Sequence, residues 1–291
     1  MTSKTSALKR KIKEQQLTHL MSAHNPLSAR LAEQAGFNGI WASGFELSAA
    51  YGVPDASLMS MTQHLDMARA INEAIDIPVV ADIDTGYGNA INVMYTIEKY
   101  EAAGMAAVVM EDKTFPKDTS LLAGGRQDLL RVEEFQGKIE AAVAARRDSD
   151  LMIIARVEAL IAGQGQAEAK MRGERYAEAG ADAILIHSKS KTPDEIIEFA
   201  ENWTIDAPLV IVPTAYPQLT EDDIIALRKI KIVIYGNHAI RAAVTAMERT
   251  FARIREDRGI QNVDNDIVPV THIFDLQGVQ EMKAREKKYL R

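Results

Sequence analysis

Eight short apolar runs recur along the chain, and this repetition limits the folds that are open to it. Each run is rich in Val, Ile, Leu and Met, is too short for a helix, and does not alternate apolar with polar residues. That pattern is typical of a strand that is buried on both faces. The sequence therefore predicts eight buried strands, at 18–23, 39–42, 78–81, 107–110, 151–155, 183–186, 209–212 and 232–235.

The segments between these runs have helical patterns and are long enough for crossover helices. Gly36, Gly104 and Gly180 follow three of these segments, at the position where glycine commonly ends a helix. The alternation predicts a single α/β domain over 1–291, a (β/α)8 TIM barrel. An open doubly wound sheet is the alternative, but no GxGxxG motif follows the first strand. The predicted helices lie at 28–35, 63–74, 90–102, 132–145, 167–179 and 192–201.

Composition excludes several function classes. The chain has no cysteine, which excludes disulfides, thiolate metal sites, iron–sulfur clusters and a cysteine nucleophile. With 34 basic and 41 acidic residues the net charge is −7, which disfavours binding to nucleic acid or to an anionic membrane. No apolar run approaches a membrane span and no signal peptide is evident, so we expect a soluble cytoplasmic protein that acts on a small molecule.

Polar residues follow almost every predicted strand, whereas the strand starts carry none of comparable chemistry. In a barrel of this type the active site lies at the carboxyl ends of the strands. The asymmetry therefore predicts an enzyme. Its candidate residues at the strand ends are Ser43, Gly44, Asp82, Asp84, Glu111, Arg156, His187 and Asn237.

Three acidic residues near two neighbouring strand ends indicate a metal site. Asp82 and Asp84 are two residues apart, so an extended chain places both carboxylates on one side, and Glu111 ends the next strand. Clustered carboxylates in a partly buried site require a cation, and oxygen ligands favour Mg²⁺ or Mn²⁺. Asp55 could bind the same metal ion through a water molecule. The alternative interpretation is that these residues are helix caps and exposed loop acids.

Arg156 and His187 end two further strands. A guanidinium and an imidazole beside a metal are suited to binding a phosphoryl or carboxylate group. For Arg156 the alternative is an internal ion pair with Glu158, and for His187 it is a buried histidine whose hydrogen bonds are satisfied within the core.

A long polar insertion over 112–130 follows the fourth strand. It contains Lys117, Thr119 and Ser120, and its glycines and polar residues are typical of a mobile lid that closes over a substrate. An ordinary solvated loop is the alternative.

Several motifs together resemble those of the phosphoenolpyruvate mutase/isocitrate lyase superfamily. They are GIWASG at 39–44, DIDTGYGN at 82–89, EDKTFPK at 111–117, ARVEA at 155–159 and HSK at 187–189. The resemblance extends from about Ala23 to the C-terminus. It implies a (β/α)8 barrel with a swapped last helix within about 240–291, a homotetramer built from two such dimers, Mg²⁺, and 2-oxo acids or their enols as substrates.

The lid distinguishes the branches of that superfamily. The carbon–carbon lyase branch uses a lid cysteine, which this chain lacks. The mutase branch has Asn before the lid serine, where this chain has Thr119 before Ser120. That difference resembles hydrolytic members and implies Mg²⁺-dependent cleavage of 3-phosphonopyruvate to pyruvate and phosphate. The alternatives are interconversion of phosphoenolpyruvate and phosphonopyruvate, hydrolysis of oxaloacetate or another C–C bond, and a 2-oxo-acid binding protein without catalysis.

The resemblance also implies roles for individual residues. Asp82 would bind Mg²⁺ directly, with Mn²⁺ and Co²⁺ as possible substitutes, and Asp55, Asp84 and Glu111 would hold its waters. The substrate's carboxylate would contact Ser43 and the amide of Gly44, with Trp41 packed beside it and Asn237 nearby. Arg156 and His187 would hold the phosphonate under a lid that contributes Lys117, Thr119 and Ser120. Thr119 would either orient a water or attack phosphorus itself.

Overall fold

A computed structural model describes residues 3–291, and its central feature is a closed barrel of eight parallel strands in sequence order. The strands are β1 (Thr18–Ala23), β2 (Gly39–Ala42), β3 (Val79–Asp82), β4 (Ala107–Glu111), β5 (Met152–Val157), β6 (Ala183–Ile186), β7 (Leu209–Ile211) and β8 (Ile230–Tyr235). β1 pairs with β8, from Thr18 opposite Ile232 to Met21 opposite Tyr235. This pairing closes the sheet and excludes the open doubly wound alternative.

Helices alternate with the strands, as predicted. They are α1 (Lys4–Glu14), α2 (Pro26–Gln34), α3 (Gly44–Ala50), α4 (Met61–Ala74), α5 (Ala90–Ala102), α6 (Val132–Ala145), α7 (Gly165–Glu178), α8 (Asp194–Glu201), α9 (Glu221–Ala226), α10 (His238–Asp257), α11 (Val270–Leu276) and α12 (Val279–Tyr289). The chain divides into two compact units, one up to Ala239 that contains the barrel and one of Ile240–Arg291 that is helical. No helix within residues 3–291 has the length and apolarity needed to cross a membrane.

The strands are buried on both faces, which explains their unbroken apolar runs. One cluster fills the barrel with alternate strand residues such as Leu20, Val80 and Ile154, together with Leu8 of α1. A larger cluster, which includes Val79, Ile153 and Tyr176, packs between the strands and the surrounding helices. A strand with apolar neighbours on both sides has no solvent face, so it lacks the polar alternation of a half-buried strand.

Several strand boundaries differ by a few residues from the predicted ones. Asp82, Glu111 and Arg156 lie inside their strands, whereas apolarity alone places them just beyond the ends. The backbone ladder continues past the apolar run, and it pairs Glu111 with Arg156 across β4 and β5. The consequence is functional, because residues within a ladder are held more rigidly than residues in a loop.

Candidate active site

A pocket opens at the carboxyl ends of the strands, within the barrel unit. Nine of the predicted site residues line it: Trp41, Ser43, Asp55, Asp82, Thr119, Ser120, Arg156, His187 and Asn237. Sequence reasoning did not assign the rest of the lining, which is Phe45, Leu121, Ser188, Val212, Thr214, Ala215 and Gly236. Most of these residues also follow strand ends, and that position alone could have predicted that they line the pocket. The apolar ones carry no chemical group that would have drawn attention to them.

The other four predicted residues are Gly44, Asp84, Glu111 and Lys117, and each contacts a residue of the pocket lining or another of the four. Lys117 Nζ is 2.7 Å from Asp84 Oδ1, 3.2 Å from Asp55 Oδ1 and 3.6 Å from Glu111 Oε1. The backbone N–H of Gly44 donates to Asp82 Oδ2 at 3.3 Å. The structure thus brings the four predicted carboxylates together, and the lid contributes a cation that the sequence did not place among them.

A tight turn after β3 sets the orientation of the two aspartates. The N–H of Asp84 donates to Asp82 Oδ1 at 3.0 Å, and Asp84 itself has a φ of +50°. Gly86 has a φ of +87°, and a Cβ there would lie 2.5 Å from Val93 and 2.7 Å from Met110. Only glycine fits this turn, which explains why the aspartates are followed by a glycine.

Burial changes the titration of this cluster. Burial raises the pKa of Asp82 and raises the pKa of Asp84 to about 6. The positive charge of Lys117 partly offsets this effect, because it lowers the pKa of both carboxyl groups. Burial also opposes the charge of Lys117, but the surrounding carboxylates outweigh it and hold the pKa of that ammonium well above its usual range. Four carboxylates share the Lys117 ammonium, and the Arg156 guanidinium lies 3.4 Å from Glu111. Four carboxylates with these two cations leave excess negative charge, which favours a further cation.

The donor set fits a hydrated divalent ion. Both carboxylate oxygens of Glu111 are buried and accept no hydrogen bond from residues 3–291, although Lys117 and Arg156 lie 3.6 and 3.4 Å away. In the same part of the chain no three His, Asp or Glu side chains are close enough to ligate one ion directly. An ion held by few direct ligands and several waters, as is usual for Mg²⁺, suits this arrangement.

Arg156 and His187 lie side by side in the pocket lining. Arg156 Nη2 is 2.8 Å from His187 Nδ1, and that nitrogen is also 2.8 Å from Glu158 Oε1. Arg156 Nε donates to the same oxygen. The ion pair that was the alternative interpretation of Arg156 is therefore present, and it holds a guanidinium that also lines the pocket.

The predicted lid contributes Thr119, Ser120 and Leu121 to the pocket lining. Its Thr119 Oγ1 donates to the carbonyl of Asp55 at 2.8 Å and lies 3.3 Å from Asp55 Oδ2. The amide of Lys117 donates to Ser57 Oγ at 3.3 Å. Lys117 and Ser120 are buried, whereas residues 121–124 of the same segment are exposed. Closure of this segment over a substrate stays a prediction.

Two residues of the site were underestimated from the sequence. Lys113 belongs to the EDKTFPK motif at 111–117, which by itself indicates no role for this lysine. In the structure Lys113 is buried, and its Nζ lies 2.7 Å from Ser120 Oγ. Glu158 was considered only as a partner for Arg156, yet it also accepts a hydrogen bond from Ser120 at 2.6 Å. Glu158 directly follows β5 and Lys113 lies two residues after β4, so a charged residue close to a strand end was the available signal.

Comparison with known proteins agrees with this geometry. A sequence profile described as phosphoenolpyruvate phosphomutase matches residues 8–255. Phosphonopyruvate hydrolase of Variovorax sp. (strain Pal2) is 63% identical over 289 residues, which cover 99% of this chain and 100% of that protein. A crystal structure of phosphonopyruvate hydrolase in complex with oxalate and Mg²⁺ has 61% identity and a TM-score of 0.95, with 100% of both chains covered.

Fold likeness alone does not separate the hydrolase from the mutase. The structure of phosphoenolpyruvate phosphomutase from Streptomyces platensis subsp. rosaceus has a TM-score of 0.96 but only 48% identity, with 99% of both chains covered. The difference between these relatives lies in side chains, not in the course of the backbone.

Proposed function

The chain belongs to the phosphoenolpyruvate phosphomutase family, and from that premise we propose that it hydrolyses the carbon–phosphorus bond of phosphonopyruvate to pyruvate and phosphate. The observation that carries the proposal is the full-length likeness to phosphonopyruvate hydrolase, at 63% identity. The site geometry supports it, since an acidic cluster and a cationic wall face one pocket.

The enzyme uses Mg²⁺, the ion present with oxalate in the related hydrolase structure. Asp82 is proposed as its direct ligand, with Asp55, Asp84 and Glu111 holding its waters. Mn²⁺ and Co²⁺ are proposed substitutes. When bound, the ion draws electron density from the 2-oxo and carboxylate oxygens, so that carbon departs as an enolate.

The carboxylate end of the substrate lies toward β2. Ser43 precedes α3, and its Oγ accepts the N–H of Glu46 at 3.3 Å, so the hydroxyl is held at the start of that helix. A helix start favours an anion, and at this one the N–H of Gly44 already donates to Asp82 Oδ2 at 3.3 Å. Trp41 forms an apolar wall beside it, and Asn237 at the end of β8 contributes a polar group to the same pocket.

The phosphonate end lies against Arg156 and His187. These groups would bind the phosphonate oxygens and stabilise the negative charge of the transferring PO₃ group. Glu158 contacts both residues and so orients them within the protein. Positioning of this kind lowers the barrier to in-line displacement.

Thr119 is the residue to which we assign the hydrolytic outcome. Its hydroxyl lines the pocket, and Asp55 Oδ2 lies 3.3 Å away, where it can accept a proton. The nucleophile is either Thr119 itself or a water that it orients. With water as nucleophile, its oxygen bonds to phosphorus as the P–C bond breaks, phosphate is released, and the bonding electrons leave with carbon. With Thr119 as nucleophile the same displacement gives a phosphothreonine, and a water must then attack its phosphorus to release phosphate and restore the hydroxyl. The enolate then takes a proton to give pyruvate.

A phosphate-release assay tests this proposal. Phosphonopyruvate incubated with the enzyme and Mg²⁺ should give one phosphate and one pyruvate per substrate, and EDTA should abolish both products. The mutase alternative predicts phosphoenolpyruvate with no stoichiometric phosphate. Cleavage of oxaloacetate in place of phosphonopyruvate would favour a carbon–carbon hydrolase, and binding without turnover would favour a non-catalytic protein.

We also propose the helix-swapped dimer, and a tetramer of two such dimers, as the assembled form. Val244, Met247 and Phe251 are exposed large apolar residues in α10. They recur every three or four residues and so form one stripe along that helix. An exposed stripe of this kind is typical of a surface that a second subunit covers. The cytoplasmic location stays a prediction.

A further inference from the structure

Glu158 connects the lid to the cationic wall of the pocket. It lies directly after β5, is completely buried, and its backbone N–H donates to Asp112 Oδ1 at 2.9 Å. The sequence interpretation gave it only the role of a possible partner for Arg156. Its contacts in the structure extend to both sides of the pocket.

The two carboxylate oxygens of Glu158 have different partners. Oε1 accepts from Arg156 and lies 2.8 Å from His187 Nδ1. Oε2 accepts from Ser120 Oγ at 2.6 Å and lies 3.3 Å from Lys113 Nζ. One oxygen therefore holds the wall that faces the phosphonate, and the other holds the lid.

Ser120 is held by a complete set of hydrogen bonds. Its hydroxyl donates to Glu158, and it accepts from Lys113 Nζ at 2.7 Å and from Arg156 Nη2 at 3.0 Å. A hydroxyl has one donor and two acceptor sites, so all three are used. Lys113 also donates to the carbonyl of Asp118 at 2.9 Å, which fixes the lid backbone beside the serine.

We propose that Glu158 is a positioning residue that couples closure of the lid, through Ser120, to the orientation of Arg156 and His187. When the lid is closed, one buried carboxylate holds both sides of the site. When the lid opens, Lys113 and Ser120 leave that carboxylate, and Arg156 and His187 lose part of the arrangement that holds them. The phosphonate site is then complete only under a closed lid.

The inference rests on the proposed function, and its test separates the two. Amide hydrogen exchange over 113–122 is measured without ligand in wild type, Glu158→Gln and Ser120→Ala. Both variants should raise lid exchange roughly tenfold or more, because each removes a contact that holds the lid closed. Glu33→Gln is the control, since the Glu33 carboxylate accepts hydrogen bonds from the backbone N–H groups of Asp76 and Ile77, at a site remote from the lid.

Phosphate release supplies the second readout. Glu158→Gln should lower kcat/KM roughly tenfold more than Ser120→Ala, because it also releases Arg156 and His187. Equal losses in the two variants, or unchanged lid exchange in a folded Glu158→Gln protein, would overturn the proposal. If Glu158→Gln does not fold, Glu158→Asp keeps the charge, shortens the reach and is judged by the same two readouts. A wild type without phosphonopyruvate turnover would refute the proposed function while the exchange result still decides whether Glu158 holds the lid.

Discussion

At the scale of single residues, the site depends on the short side chain of Thr119 and on Gly44, whose lack of a side chain lets the backbone lie close to the aspartates. Thr119 differs from the mutase pattern by one side chain, while the barrel around it has the same fold as a mutase. Gly44 lies against the aspartates so closely that any side chain would displace them. Single substitutions can therefore separate the chemistry of the site from the stability of the fold.

The hydroxyl of Thr119 should be required for hydrolysis. Thr119→Asn removes it and should lower the rate of phosphate release from phosphonopyruvate by about 100-fold or more. Thr119→Ser keeps a hydroxyl and should stay within about tenfold of wild type. Initial rates at saturating substrate measure the effect, and full hydrolysis by the asparagine variant would refute the assigned role.

A methyl group at Gly44 should weaken the metal site. A Cβ there would lie 3.1 Å from Asp82 Oδ2 and 3.3 Å from Asp84 Oδ1, so the carboxylates would have to move. In Gly44→Ala we expect the Mg²⁺ concentration for half-maximal activity to rise about tenfold, and the Mg²⁺-induced rise in Tm to shrink.

Gly137→Ala is the matched control for that change. Gly137 lies within α6, and a Cβ there meets nothing within 4 Å. This control should leave Mg²⁺ dependence unchanged and raise stability by about 0.5–1 kcal/mol, because alanine favours a helix interior. Identical Mg²⁺ dependence in both alanine variants would contradict the close approach of Gly44 to the aspartates.

At the scale of secondary-structure elements, polar groups join neighbouring helices behind the acidic cluster. His64 of α4 is buried, and its Nδ1 lies 3.0 Å from the hydroxyl of Tyr100 on α5. Burial lowers the pKa of His64 from 6.5 to about 4. This imidazole therefore stays neutral in the folded protein at a pH at which the unfolded chain binds a proton.

His64 should make the fold less stable in acid. Because its pKa is lower in the folded state, its contribution is present above about pH 6.5 and is lost as the pH falls toward 4. The free energy of unfolding of wild type minus that of His64→Gln should fall by up to about 3 kcal/mol across this window. Urea titrations at several pH values measure it. The same substitution at His272, which is exposed, is the control for the loss of a histidine. A flat curve for His64 would contradict the burial argument.

At the scale of the whole molecule, assembly depends on surfaces that the single chain leaves exposed. The apolar residues of α10 lie on one side of the helix, and Phe251 is 62% exposed. If the proposed tetramer forms, Phe251→Glu should therefore convert it to smaller species in light scattering. Arg249→Glu, on the opposite side of the same helix, should leave the mass unchanged. A monomeric wild type would refute the proposed assembly.

Much of this protein is determined by local sequence patterns. The eight apolar runs located every strand to within a few residues, because a strand buried on both faces needs a continuous apolar stretch. Helix ends followed from glycines such as Gly104, and the polar residues at the strand ends located the pocket because a parallel barrel brings all those ends together. The motifs around Asp82 and Thr119 indicated the family and its hydrolytic branch.

Only the tertiary structure decided how these groups are partnered. No local pattern indicates that Lys117 lies among Asp55, Asp84 and Glu111, or that Glu158 bridges Ser120 of the lid and Arg156 of the strand. The physical reason is that hydrogen bonds and ion pairs join residues far apart along the chain, at distances of about 3 Å that depend on how the whole barrel packs. Sequence periodicity determines which face of a strand or helix a residue occupies, whereas the closed fold determines which side chain it contacts.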